Sequence, residues 1–226
     1  MMVGLYLLLN LAVLWIVARA SAVSGWRLIS MLFLVGFIVG SVNSFIEAIF
    51  FRVLTSQEVV GAALPAAIVF AILSPLAVLL GGRFKRVADA PVEPGGFTPV
   101  TLLGVVLAYE LLYWSGGLLV FPYVDHFYAG RGLPPGYGVA ALQVVRSLIF
   151  VGAAYPLLRN GLRGAPLVLA LVYSVIGGVA PLLPDNPYMP ADIRFYHGIE
   201  VTVSNFIFGL VVGLVYSWRK PMPAQA

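Results

Sequence analysis

The 226-residue chain contains no cysteine. That removes disulfides, thiolate metal sites, iron–sulfur ligation and cysteine nucleophiles in one step. Charge is scarce too: 10% of residues are Asp, Glu, Lys or Arg, against 61% hydrophobic, and the mean hydropathy is +1.00. A soluble domain needs a polar surface, and this composition cannot supply one. The two lysines, Lys85 and Lys220, both fall outside the apolar runs, which excludes a retinal Schiff base within the membrane. With two histidines in the whole chain, His126 and His197, and arginines close to the second, no metal and no other cofactor is expected. No glycine-rich phosphate loop is present, which argues against nucleotide-driven chemistry. The net charge of +4 could suggest nucleic acid. The basic residues, however, sit in short connections between apolar runs, a distribution that reads as membrane topology.

What the chain does have is apolar runs of membrane-spanning length, so the predicted fold class is all-α, a bundle of seven transmembrane helices forming a single domain. The spans are placed at 3–19, 28–51, 61–81, 99–121, 138–158, 166–183 and 193–217, each near the roughly 20 residues that a bilayer core requires. The first run lacks a positive segment before it and is expected to be a retained helix rather than a cleaved signal. Arg19, Arg27, Arg83, Lys85, Arg86, Arg159, Arg163, Arg219 and Lys220 fall in alternate connections or after the last span. The positive-inside rule then places the N-terminus outside, the C-terminus in the cytoplasm and the protein in the plasma membrane. Residues 82–98 are expected to form a cytoplasmic linker and 221–226 a disordered tail. The stretch 121–128 reads as an aromatic outer loop. Gly116, Gly117, Gly177 and Gly178, and the pair Gly209 and Gly213 four residues apart, read as close helix contacts.

Ionisable side chains inside these spans are the strongest functional signal. A charged group at the bilayer centre costs from about 3 to more than 10 kcal/mol and is expected to face other polar groups or a function. At 1.5 Å per residue, Glu47 lies roughly 7 Å and Asn43 roughly 13 Å below the outer end of the second span. Gln143 and Arg146 fall at roughly 8 and 12 Å in the fifth. In the seventh, Arg194 is at the outer edge, with His197, Glu200 and Asn205 at roughly 6, 11 and 18 Å. Glu110 falls near mid-membrane in the fourth span. One site opening to the outer face accounts for this clustering.

Helical spacing puts Asn43 with Glu47 on one face, Gln143 with Arg146 on another, and Arg194, His197, Glu200 and Asn205 across one side of the seventh span. Arg146, which stays charged almost anywhere, needs a carboxylate at its depth, from Glu47 or Glu200. Glu110, the carboxylate left over, is expected beside His197 as a proton-labile group. These residues point to a membrane-embedded enzyme, hydrolase or transferase in type, acting on a lipid-phase or anionic substrate. Glu110, Glu200, His197 and Glu47 are the catalytic candidates. Arg146 and Arg194 would clamp an anionic head group, with Asn43, Asn205 and Gln143 binding substrate. The alternatives are a proton-coupled transporter or channel, and a non-catalytic subunit of a membrane complex. The expected partners are the bilayer, a lipid-like or anionic small molecule, and a second copy or a membrane-complex subunit; nucleic acid is not among them.

Overall fold

The computed structural model describes residues 1–85, 95–129, 132–185 and 188–218. Among the described residues, seven helices are long and apolar enough to cross a membrane: α1 (Met2–Ala20), α2 (Gly25–Phe50), α3 (Ser56–Leu80), α4 (Pro99–Tyr128), α5 (Gly136–Arg159), α6 (Ala165–Leu182) and α7 (Ala191–Trp218). The chain is thus a multi-pass, all-α membrane protein, as the hydropathy predicts. Residues 86–94 of the expected linker and the whole expected tail, 221–226, lie outside the described residues, as do Arg131, Arg219 and Lys220.

One boundary differs from the sequence reading. Residues 121–128 do not form a loop; α4 runs straight through Pro122 to Tyr128. A proline ends helices in water because its missing N–H and its ring cost several kcal/mol, yet membrane helices tolerate it.

Several ends are fixed by local chemistry. Thr55 caps α3: its hydroxyl accepts from the Glu58 N–H at 3.3 Å while the Thr55 N–H donates to the Glu58 carboxylate at 2.7 Å. Thr98 and Thr101 make the same reciprocal pair at the start of α4, with Pro99 at the first helical position. Such a box satisfies two of the donors that a helix start leaves open.

Alternation of the helices gathers Arg19, Arg27, Arg83, Lys85, Arg159 and Arg163 at one end of the bundle, hereafter the basic end. There the Arg83 guanidinium donates to the Ser21 carbonyl and Arg27 donates to Asn160. At the opposite end, the site end, His126 meets Asp192 at 3.2 Å, tying the end of α4 to the start of α7.

Lipid is as apolar as leucine, so close packing and hydrogen bonding, rather than exclusion of water, hold such helices together. Helices α6 and α7 touch backbone to backbone: a Cβ on Gly209 would lie 2.5 Å from the Ala170 Cα, and one on Gly213 would lie 2.4 Å from the Pro166 Cα. The expected small-residue face is therefore real, and any side chain there would push the helices apart. Gly116, Gly177 and Gly178 are also close contacts, whereas Gly117 has open space at its Cβ.

Two helices carry a wide turn. In α2, over Ile38–Val42, the Asn43 N–H reaches back five residues to the Ile38 carbonyl. In α6, over Val172–Val179, the Ala180 N–H reaches the Val175 carbonyl. These π turns face each other through their glycines, since a Cβ on Gly40 would meet Ile176 and one on Gly177 would meet Val39, both at 2.9 Å. Such turns leave backbone groups out of register and recur at functional sites. Asn205 answers one of them, its amide donating to the Tyr173 and Gly177 carbonyls at 3.2 and 3.3 Å.

Mid-bundle, four rings form an aromatic plug. The Tyr109–Phe208 and Phe150–Tyr173 centroids are each 4.7 Å apart, and the Tyr173–Phe208 pair is 5.7 Å apart. The Tyr173 hydroxyl donates to the Phe150 carbonyl at 2.8 Å, so that buried polar atom is satisfied within the plug. Toward the basic end the space is packed with Leu14, Leu28, Leu32, Leu157 and Leu169, all fully buried.

Candidate functional site

Above the plug, at the site end, three helices bring their polar faces together. Arg146 is the hub. Its guanidinium donates to the Glu47 carboxylate at 2.7 Å and to the Gln143 side-chain oxygen at 3.0 Å, and its Nε approaches Asn43 at 3.4 Å. The Tyr109 ring lies beneath, its centroid 6.0 Å from the guanidinium carbon. Asn43 also stands within hydrogen-bonding reach of the Tyr109 hydroxyl. Arg146 is 5% exposed and Glu47 17%. A buried pair of this kind depends on further hydrogen bonds to its remaining groups, and Asn43 and Gln143 each accept one from the guanidinium.

On α7, one turn joins His197 and Glu200: the imidazole Nδ1 and the Glu200 carboxylate are 3.0 Å apart, with Glu200 8% exposed. Glu200 packs against Gly116 of α4, where a Cβ would come within 3.0 Å of its Cγ. Only glycine lets the carboxylate lie that close to the neighbouring helix.

Two cavities open on this polar group. The first, about 270 Å³, lies between α2, α4, α5 and α7. Its walls are apolar and aromatic, and its polar lining is Glu47, Tyr113, His197 and Glu200 with the hydroxyl of Tyr128. The second, about 200 Å³, lies toward α6 and includes Ser41, Ser44, Arg146, Gly177, Gly178 and Tyr188. Glu47, Phe51, Tyr128 and His197 belong to both walls, so they form the partition between them. Tyr188, outside the spans, has its phenol held above the ordinary value by a hydrogen bond to the Glu58 carboxylate.

The sequence-derived residues divide. Asn43, Glu47, Gln143, Arg146, His197 and Glu200 form one polar group, and Glu47 rather than Glu200 is the partner of Arg146. Asn205 supports the π turn of α6. Glu110 and Arg194 stand apart, and the expectation for each is corrected. Glu110 lines neither cavity: its carboxylate accepts from the Trp114 indole N–H at 3.0 Å, on a stretch of α4 whose neighbours Leu107 and Leu111 are exposed. Residue depth put it level with the site, but its direction around the helix takes it away from His197. Its contribution to the site is indirect, because the Trp114 that it holds lines the first cavity. Arg194 turns to the α6–α7 connection, donating to the Pro184 carbonyl and to Asp185 at 3.2 Å. Both expected anion clamps are therefore engaged within the protein.

Sequence reasoning missed Tyr109 as the platform for Arg146, and Phe51 and Tyr128 as cavity walls. The spacing of Tyr109, Tyr113, Gly116 and Gly117 was the available signal, since these residues share the α4 face turned toward α7. Among the described residues, no group of three or more His, Asp or Glu side chains could hold a metal ion.

Comparison with protein families, with curated proteins and with solved structures finds no match for this chain.

Proposed function

We propose that this protein is a membrane-embedded enzyme that acts on an amphipathic substrate drawn from the lipid phase. The observation that carries the reading is the His197–Glu200 pair, 3.0 Å apart, on the wall of a largely apolar cavity. A carboxylate on Nδ1 fixes the ring tautomer and stabilises the imidazolium, which leaves Nε2 as the proton acceptor, the arrangement by which a histidine serves as general base. His197 would take the proton from a water or a substrate hydroxyl as its oxygen attacks the electrophilic carbon, and return it to the departing oxygen. The reaction is then hydrolysis or group transfer. Glu47, fixed in place by Arg146, would orient the substrate's polar group from the partition.

Two further features support this reading. The aromatic plug and the packed leucines beneath it close the basic half of the bundle, as a site served from one side requires. The basic residues Arg19, Arg27, Arg83, Lys85, Arg159 and Arg163 share the other end; by the positive-inside rule the site then faces outward from a plasma membrane, with the C-terminus in the cytoplasm.

The test is turnover. Wild type and His197→Gln are reconstituted into liposomes of a polar lipid extract, and the lipids are compared by mass spectrometry. At least one species should be consumed by wild type and spared by the variant, with both proteins melting within a few degrees of each other. Identical lipid profiles would remove the reading.

A further inference from the structure

The chemistry of the first cavity narrows what it can hold. Its wall contains Glu47 and Glu200 and, among the described residues, no lysine or arginine. The Glu47 charge is met by Arg146 at 2.7 Å, from the second cavity's side. Among the described residues the ionic partner of Glu200 is the titratable His197, so with His197 neutral, as its general-base role requires, the polar lining carries one carboxylate charge that no arginine or lysine meets. An anionic head group would meet that charge in a low-dielectric setting with no cation free to answer it, which is strongly unfavourable.

Aromatic density is the second observation. Phe51, Tyr113, Trp114, Phe121 and Tyr128 all line this cavity. They are arranged in contact rather than singly: Tyr113 and Trp114 pack edge to face with centroids 6.0 Å apart, and Phe51 and Tyr128 lie 6.2 Å apart across α2 and α4. Trp114 is further held by Glu110 at 3.0 Å. Aromatic rings gathered beside carboxylates attract ammonium groups, because the ring quadrupole presents negative charge and the walls displace water that the cation holds weakly. The 270 Å³ volume is at the small end for ligand sites, enough for a head group and the first part of a chain.

We infer that the cavity between α2, α4, α5 and α7 takes a lipophilic cation, an amine or quaternary ammonium seated among Tyr113, Trp114, Phe51 and Tyr128 beside Glu200. The inference builds on the proposed function only in taking this cavity as the substrate site. It replaces the anionic substrate expected from the sequence with one of opposite charge.

The experiment is calorimetric titration of the purified protein in maltoside micelles with three probes of one chain length: hexyltrimethylammonium, hexanol and hexyl sulfate. The ammonium should bind saturably, and at least about tenfold more tightly than either of the others. Glu200→Gln should weaken it by at least about tenfold, and Trp114→Leu by about 2- to 30-fold, the range of a cation–aromatic contact. Unfolding temperatures of both variants, measured without probe, establish that they are folded; the Trp114 variant keeps every site carboxylate and tests the idea independently should Glu200→Gln unfold. Hexyl sulfate or hexanol binding as tightly as the ammonium would overturn the inference. So would ammonium affinity unchanged in the folded Glu200→Gln or Trp114→Leu protein. Binding without His197-dependent turnover would leave the cation site standing and remove the enzyme; turnover without cation selectivity would do the reverse.

Discussion

Removing Glu47 should destabilise the protein more than removing Arg146, although the two share one ion pair. Breaking a buried pair costs about 3–5 kcal/mol, because the surviving charge is left without compensation. The survivors here differ. In Glu47→Gln the remaining charge is a guanidinium 5% exposed, which cannot lose its proton at any accessible pH. Gln143 and Asn43 can accept from it but not neutralise it, so the full cost of about 3–5 kcal/mol is expected. In Arg146→Gln the remaining group is a carboxylate 17% exposed that borders both cavities. Water in the cavities can hydrate it, so a cost of about 1–3 kcal/mol is expected. With both replaced, the two new amide side chains can hydrogen-bond to each other and to Asn43 and Gln143. The double variant should then be more stable than Glu47→Gln alone, giving a coupling of about 2 kcal/mol or more. Reversible unfolding by dodecyl sulfate in mixed micelles, followed by tryptophan fluorescence, measures all four proteins. The reasoning fails if Arg146→Gln is the worse single variant, or if the two single costs simply add.

Two further predictions concern packing and position. Gly209→Ala should cost about 2–3 kcal/mol in the same unfolding assay, because its methyl would meet the Ala170 backbone at 2.5 Å and neither helix can yield locally. Gly152→Ala, in α5 with nothing within 4 Å of its Cβ, should be neutral or stabilise by up to about 1 kcal/mol; equal losses at both glycines would contradict the packing account. Glu110→Leu should be at least as stable as wild type while shifting the emission of Trp114, measured with the other three tryptophans replaced by phenylalanine. A clear loss of stability would mean that this carboxylate does more than hold the indole.

The spans were legible because length and apolarity are one-dimensional properties, and each predicted span lies on an observed helix. The main boundary error was the end of the fourth span, placed at 121 by hydropathy, whereas α4 continues through Pro122 to Tyr128. The site was legible in part for the same reason. Counting 1.5 Å per residue put Glu47, Arg146, His197 and Glu200 at shared depths, and these are the residues that meet. Depth says nothing about direction. Glu110 and Arg194 have suitable depths and turn elsewhere, one to Trp114 and the other to the Asp185 connection. Direction depends on how each helix is rotated against its neighbours, and that is set by contacts such as Glu200 against Gly116 or Gly209 against Ala170, which no single span encodes. The two π turns were equally invisible, since no residue type marks them.

The π turn in α2 has a consequence for how this chain can change over generations. Along the basic half of α2 the buried stripe runs through Leu28, Leu32, Val35 and Val39, and an unbroken α-helix would continue it through positions 42 and 46. The wide turn adds one residue to the count and passes the inward place to Asn43 and Glu47 instead. Deleting a single residue between positions 38 and 42 would leave a span as apolar and nearly as long. It would also let the turn close into regular α-helix, with Asn43 and Glu47 taking the inward places of 42 and 46, so that Glu47 still faces Arg146. A descendant with such a deletion would have lost the wide turn and kept the polar site. Closing the turn without removing a residue would instead swing Glu47 about 100° away from Arg146. The count of residues within 38–42 and the wide turn are thus coupled, and a relative could part with this chemistry by straightening α2 while keeping every residue that performs it.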